Sequence, residues 1–132
     1  MTLDGIHPEL LSRIGRVLEA MRVLGFPMRV VQGLRTTAQQ AGLYAQGRSM
    51  PGKIVTDADG ILHRSNHQPD PQDGLGHAVD CAFATGEPFG ESQPWGAYGA
   101  CCEAVGLVWG GGHTHGWQGQ DRPHAQLPVV SP

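Results

Sequence analysis

The sequence has no apolar run near the roughly 20 residues that a membrane-spanning helix needs. It also opens without the basic region, apolar core and small-residue cleavage site of a secretory leader. The expectation is a product made in the cytoplasm without a signal peptide and with no membrane insertion. Lys and Arg total 9 against 12 Asp and Glu, a formal net charge of -3, and no Lys/Arg cluster occurs. A polynucleotide backbone finds no electrostatic footprint here, so nucleic-acid binding is disfavoured. Cysteine is scarce. Cys81, Cys101 and Cys102 cannot all pair, the adjacent two cannot easily bridge each other, and no C-x-x-C spacing is present. A secreted disulfide framework is not expected, and the three read as small buried hydrophobes.

What is present is a chain of 132 residues, the size of one domain spanning 1–132. A hydrophobic share of 39% with 20 Gly and 10 Pro points to short regular elements joined by long connections. Leu10, Leu11, Ile14, Val17, Leu18, Met21 and Leu24 recur at helical spacing, with Pro8 suited to a first turn and Gly25 to a stop. "MRVVQGLR" (28–35) reads as a β-branched strand ending at Gly33, and "TTAQQAGLYAQGR" as a helix capped by threonine and closing near Gly47. Residues 49–76 lack periodicity and form one long connection, which in a compact domain is usually functional or disordered.

"HAVDCAF" (77–83) alternates as a strand, with Ala78, Asp80 and Ala82 on one side and Val79, Cys81 and Phe83 on the other. "WGAYGACCEAVGL" reads as a last helix, and "LVWG" and "HAQLPVV" as short strands around "GGGHTHG". Asp70 and Asp73 are expected to form turns, His7 and His63 to be solvated, and Trp109 to pack in the core. His113 and His115 alternate within the glycine run, where they could bind a metal, sit near a substrate or belong to a solvent loop.

The polar residues at element edges are the ones to examine: His67 in the long connection, Asp80 in mid-strand, and Asp121 and His124 in "DRPH". Two imidazoles and a carboxylate suffice to hold a zinc ion whose fourth position is left to water. A further carboxylate beside it can carry a proton. In a regular strand, residues three apart face opposite ways, so Asp121 and His124 can share a site only if the chain bends at Arg122 and Pro123. Pro123 fixes its own φ and pushes Arg122 toward extended geometry, which rules out a regular helix there.

Three short patterns then align: Ser65-Asn66-His67, Gly76-His77-Ala78-Val79-Asp80, and Asp121-Arg122-Pro123-His124. They resemble the S-x-H, G-x-A-x-D and D-x-x-H motifs of the zinc peptidases that include VanY-type D-alanyl-D-alanine carboxypeptidases and the L-alanyl-D-glutamate endopeptidases of phage endolysins. "QGLRTTAQQAGLYAQGR" is similar to the family's arginine-containing strand-to-helix segment and "GLVWGGG" to its Trp-Gly-Gly segment, so the likeness spans residues 28–127.

The resemblance implies Zn2+ as cofactor, His67, Asp80 and His124 as its ligands, and Asp121 as catalytic base. It also implies substrate contacts from Arg35, Gln40 and Ser65, an arginine being suited to grip a peptide carboxylate bidentately. The sequence departs from the pattern in the stretch "QPDPQDGL" between His67 and Gly76. His67 is preferred over His77 as ligand because His77 fills a variable position, and in a strand it would face away from Asp80.

The implied fold is α+β, a small antiparallel sheet flanked by helices. The implied function is hydrolysis of peptidoglycan stem peptides by a monomeric, phage- or prophage-encoded endolysin that reaches the wall after holin-dependent release. The alternatives are a D-alanyl-D-alanine carboxypeptidase and a non-catalytic, zinc-stabilised wall-binding module.

Overall fold

The apolar stripe from Leu10 onward does form a helix, α1 (Pro8–Val23), which buries Leu10, Ile14, Val17 and Met21. The computed structural model of the chain describes residues 2–56, 58–61, 64–113 and 117–129. His7 precedes the helix as its N-cap, with Nδ1 accepting from the Glu9 backbone N–H at 3.0 Å. It is thus half-buried and engaged, where a solvated side chain was expected. The helix stops two residues before Gly25, whose positive φ of 94° lets the chain turn into the sheet.

The strand β1 (Met28–Gln32) is followed by α2 (Thr37–Ala45), β2 (Ala78–Phe83), α3 (Trp95–Ala104), β3 (Val108–Trp109) and β4 (His124–Gln126). Thr36 and Gln39 close a reciprocal capping box at the start of α2, the T-x-x-Q pattern that satisfies two otherwise orphaned N–H groups. The four strands lie in the order β1-β2-β4-β3, every pair antiparallel. This is the expected α+β class.

β4 ends at Gln126 because Pro128 has no N–H to continue the ladder. One face of β2 places Val79, Cys81 and Phe83 in a core shared with α1 and with Trp95, Tyr98 and Cys102 of α3. Phe83 meets Trp95 edge to face at 4.8 Å. Truncating a residue such as Leu10, fully buried here, costs about 2–5 kcal/mol in comparable cores.

The other face of β2 carries Asp80. Antiparallel pairing sets Asp80 directly opposite His124 of β4 on one side and Gln32 of β1 on the other, next to an irregularity between Val30 and Gln32. The register thereby places a carboxylate and an imidazole side by side on the face turned away from the helical core.

The connection between α2 and β2 contains no named strand or helix among its described residues. It is fixed by side chains and turns. Asp70 Oδ1 accepts from Gln72 N and Asp73 Oδ1 from Leu75 N, each at 2.8 Å, which makes both aspartates the turn formers expected of them. His77 Nε2 lies 2.7 Å from Asp73 Oδ2, so the residues peculiar to this stretch bond among themselves.

Candidate metal centre

Asp80 Oδ1 is buried and makes no hydrogen bond. An orphaned buried carboxylate oxygen is costly, and what surrounds it shows what it is for. His67 Nε2 stands 3.4 Å away and His124 Nδ1 3.5 Å away, both too long for good hydrogen bonds. Both histidines are buried, at 3% and 4% exposure. Two donors held about 2.0–2.1 Å from a tetrahedral ion stand about 3.3–3.4 Å apart, so these separations fit a shared zinc ion.

The remaining ring nitrogens agree with that arrangement. His67 Nδ1 is 3.1 Å from the carbonyl oxygen of Gly33, which can only accept, so the proton sits on Nδ1 and the Nε2 lone pair faces Asp80. His124 Nε2 is 2.7 Å from Gln126 Oε1, which leaves Nδ1 toward the same point. The donor set, two imidazoles and a carboxylate, suits zinc.

Electrostatics point the same way. Burial alone would raise the Asp80 carboxyl, but the imidazoles of His124 and His67 outweigh it and hold the group well below the usual carboxylate range. Burial works against charging His124, yet Asp80 and then Asp121 overcome it and raise its pKa. Both shifts have one cause, a carboxylate and imidazoles packed facing one another.

Asp121 reaches this centre because the chain turns at Arg122 and Pro123, as the spacing required. The turn is pinned from several sides. The indole Nε1 of Trp109 donates to Arg122 O at 2.7 Å, and Tyr98 OH and Cys81 N both donate to Pro123 O at 3.0 Å. Trp109 packs against the core as expected, and an added Cβ at Gly99 or Gly111 would overlap its ring.

Asp121 Oδ2 ends 3.8 Å from His124 Nδ1, with its side chain 44% exposed. Burial raises its pKa, with Asp80 adding to the effect and His124, His67 and Arg35 opposing it. It combines a carboxylate near the centre with access to the outside, the two needs of a proton carrier.

An open cleft of about 730 Å³ lies over these residues. Its lining includes Arg35, Arg64, Ser65, Asp121 and Trp117. Arg35 is buried, its Nη1 donating to Gln40 Oε1 at 2.6 Å and its Nη2 4.0 Å from Asp80 Oδ2, while its Nε makes no hydrogen bond.

Gln40 does not line the cleft. It is fully buried behind Arg35, its amide also donating to Ala58 O and Thr56 Oγ1, so it holds the guanidinium in place. Ser65 lines the cleft and its Oγ accepts from His67 N at 3.2 Å. His77 is turned away toward Asp73, outside the His67, Asp80 and His124 cluster. His113 is exposed; His63 and His115 lie outside the described residues.

Sequence reasoning missed Trp117, whose ring centroid is 4.7 Å from that of His124, and the amide pair Asn66 and Gln126, linked at 2.9 Å. Gln126 could have been found from its place two residues after His124 on one strand, which puts both on one face.

No protein-family model matches the chain. Among solved structures it is similar to the LdcB LD-carboxypeptidase, whose structure reveals the molecular basis of peptidoglycan recognition, with a TM-score of 0.64 and 21% identity over 93% of this chain and 65% of that one. It is also similar to DacB from Streptococcus pneumoniae D39, with a TM-score of 0.65 and 20% identity over 95% of this chain and 67% of that one. A third likeness is to the L-Ala D-Glu endopeptidase ChiX of Serratia marcescens, with a TM-score of 0.53 and 24% identity over 96% and 83% of the two chains. The chain thus spans about two thirds of the length of the LdcB and DacB structures, and what it shares with all three is the fold.

Proposed function

We propose that this chain is a zinc-dependent peptidase that hydrolyses stem peptides of bacterial peptidoglycan, of the L-alanyl-D-glutamate endopeptidase type found in phage endolysins. One observation carries the reading: His67 Nε2 and His124 Nδ1 converge on an orphaned Asp80 oxygen beneath an open cleft with Asp121 beside it. A metal-binding role alone leaves Asp121 without purpose, whereas hydrolysis of an amide needs a group there to move a proton.

His67, Asp80 and His124 would hold the zinc, and zinc held by such a set supplies Lewis acidity, acidifying water and polarising a carbonyl oxygen. The rest is work for the chain itself. Asp121 takes a proton from the attacking water at its exposed carboxylate oxygen and returns it to the departing amine nitrogen. Arg35, held in place by Gln40, lines the cleft, where its cation orients a substrate carboxylate or carbonyl and opposes negative charge growing on the carbonyl oxygen. Ser65 orders the backbone that presents His67.

A second reading, carboxypeptidase action, is favoured by one feature. Arg64 lines the same cleft as Arg35, and two guanidinium groups suit a terminal carboxylate. Mass spectrometry of muropeptides after digestion separates the two. Cleavage within the stem supports the endopeptidase, and loss of only a terminal residue supports the carboxypeptidase. Intact muropeptides from zinc-loaded protein reject both.

A further inference from the structure

A neutral imidazole has one N–H and one lone pair, so the nitrogen left to a metal is decided by what the other nitrogen touches. For His67 the backbone decides, since Gly33 O can only accept. For His124 the decision falls to a side chain. Its Nε2 meets Gln126 Oε1 at 2.7 Å, and the same oxygen accepts from Asn66 Nδ2 at 2.9 Å.

An amide can present either an oxygen or an NH2 group, so the outcome depends on how Gln126 is turned. With its oxygen inward, both neighbours donate to it. With its NH2 inward, His124 would have to carry its proton on Nδ1, facing the would-be ion. Gln126 is 5% exposed and His124 4%, so bulk water does not arbitrate between the two. The local sequence builds the device economically: His124 and Gln126 share one face of β4, and Asn66 immediately precedes the other histidine.

We propose that Gln126, braced by Asn66, is the positioning residue of the metal centre, fixing the proton of His124 on Nε2 and so aiming Nδ1 at the ion. The proposal rests on the zinc reading above and deepens it. Gln126 acts through His124, and Asn66 couples that ligand to the segment bearing His67.

Zinc affinity is measured by competition with a chelator for the wild type and for Gln126→Met, Gln126→Glu and Asn66→Ala. The His124 tautomer is read from long-range ¹⁵N–¹H NMR of the metal-free protein, above the pH at which the ring loses its second proton. Met keeps the length of the side chain and removes the acceptor, so zinc affinity should fall by about 10–100-fold, with mixed tautomers. Gln126→Glu keeps an acceptor and should retain both the affinity and the Nε2–H signature, whereas a space-filling role would be met by Met and Glu alike. Asn66→Ala should cost less than Gln126→Met.

A wild-type His124 protonated on Nδ1, or a Gln126→Met variant that binds zinc as tightly as the wild type, overturns the proposal. A wild type that takes up no zinc sinks the metal reading instead, while the tautomer in the metal-free protein still decides what Gln126 does.

Discussion

Replacing Asp121 by Asn separates chemistry from metal binding more cleanly than any other change in this chain. The side chain keeps its shape, and the backbone bonds that hold the turn, His124 N to Asp121 O at 3.2 Å and Asp121 N to Gly110 O at 3.2 Å, are untouched. Asp121 Oδ2 lies 3.8 Å from His124 Nδ1, and Asp121 is not one of the three clustered ligands. Burial already raises this carboxyl's pKa, so taking its charge away does not cost the fold a strongly stabilised anion.

The loss should therefore appear in rate alone. Positioned acid–base groups contribute about 10²–10⁴-fold, equivalent to about 3–5 kcal/mol of barrier at about 1.4 kcal/mol per tenfold. The assay pairs kcat on a purified stem peptide with zinc content by mass spectrometry and a thermal melt. The account expects kcat down by at least about a hundredfold with one zinc retained and Tm unchanged. An Asp121→Asn variant with wild-type kcat, or one that loses its zinc, would refute the role assigned to Asp121.

Gly99→Ala should drive a Cβ into the indole of Trp109, at a cost of about 1–3 kcal/mol, seen as a Tm lower by roughly 4–10 °C; an unchanged melt would mean that Trp109 is not seated as described. Burial pushes the Cys81 thiol up to about 12 and raises Cys102 as well, so alkylation of the native protein at pH 8 should label half-buried Cys101 first, and stoichiometric labelling of Cys81 would contradict the packing. The backbone N–H of Leu75, with help from His77, holds Asp73 below its ordinary value of 3.8. A carboxyl lowered in this way stabilises the fold above the unfolded value and loses that contribution as pH falls through the folded one. Asp73→Asn should accordingly flatten the acid loss of stability below about pH 4 in denaturation series, and an identical acid limb would count against the turn.

Local signals in the sequence were read correctly where one element was enough to decide. The α1 stripe, the threonine cap of α2 and the bend that Pro123 imposes on "DRPH" each follow from neighbouring residues. The alternation of "HAVDCAF" separated Asp80 from the core-facing Val79, Cys81 and Phe83 before any pairing was known. The register was not legible, because Asp80 and His124 are brought together by pairing between strands far apart in the chain. His7 was expected to be solvated because histidine is not among the usual N-cap residues, although Pro8 marked the helix start beside it. Gln40 belonged to the resemblance as a substrate contact. Its burial behind Arg35 depends on carbonyl and hydroxyl partners at Ala58 and Thr56, in a connection with no periodicity to read. Trp117 sits at the end of a glycine-rich run whose path the sequence does not dictate.

The most direct test is anomalous diffraction at the zinc edge from crystals grown with one equivalent of zinc. The account predicts a single peak about 2.0–2.2 Å from His67 Nε2, Asp80 and His124 Nδ1, with its remaining position filled by water. A peak elsewhere, or a fourth protein donor closing the coordination, would contradict it.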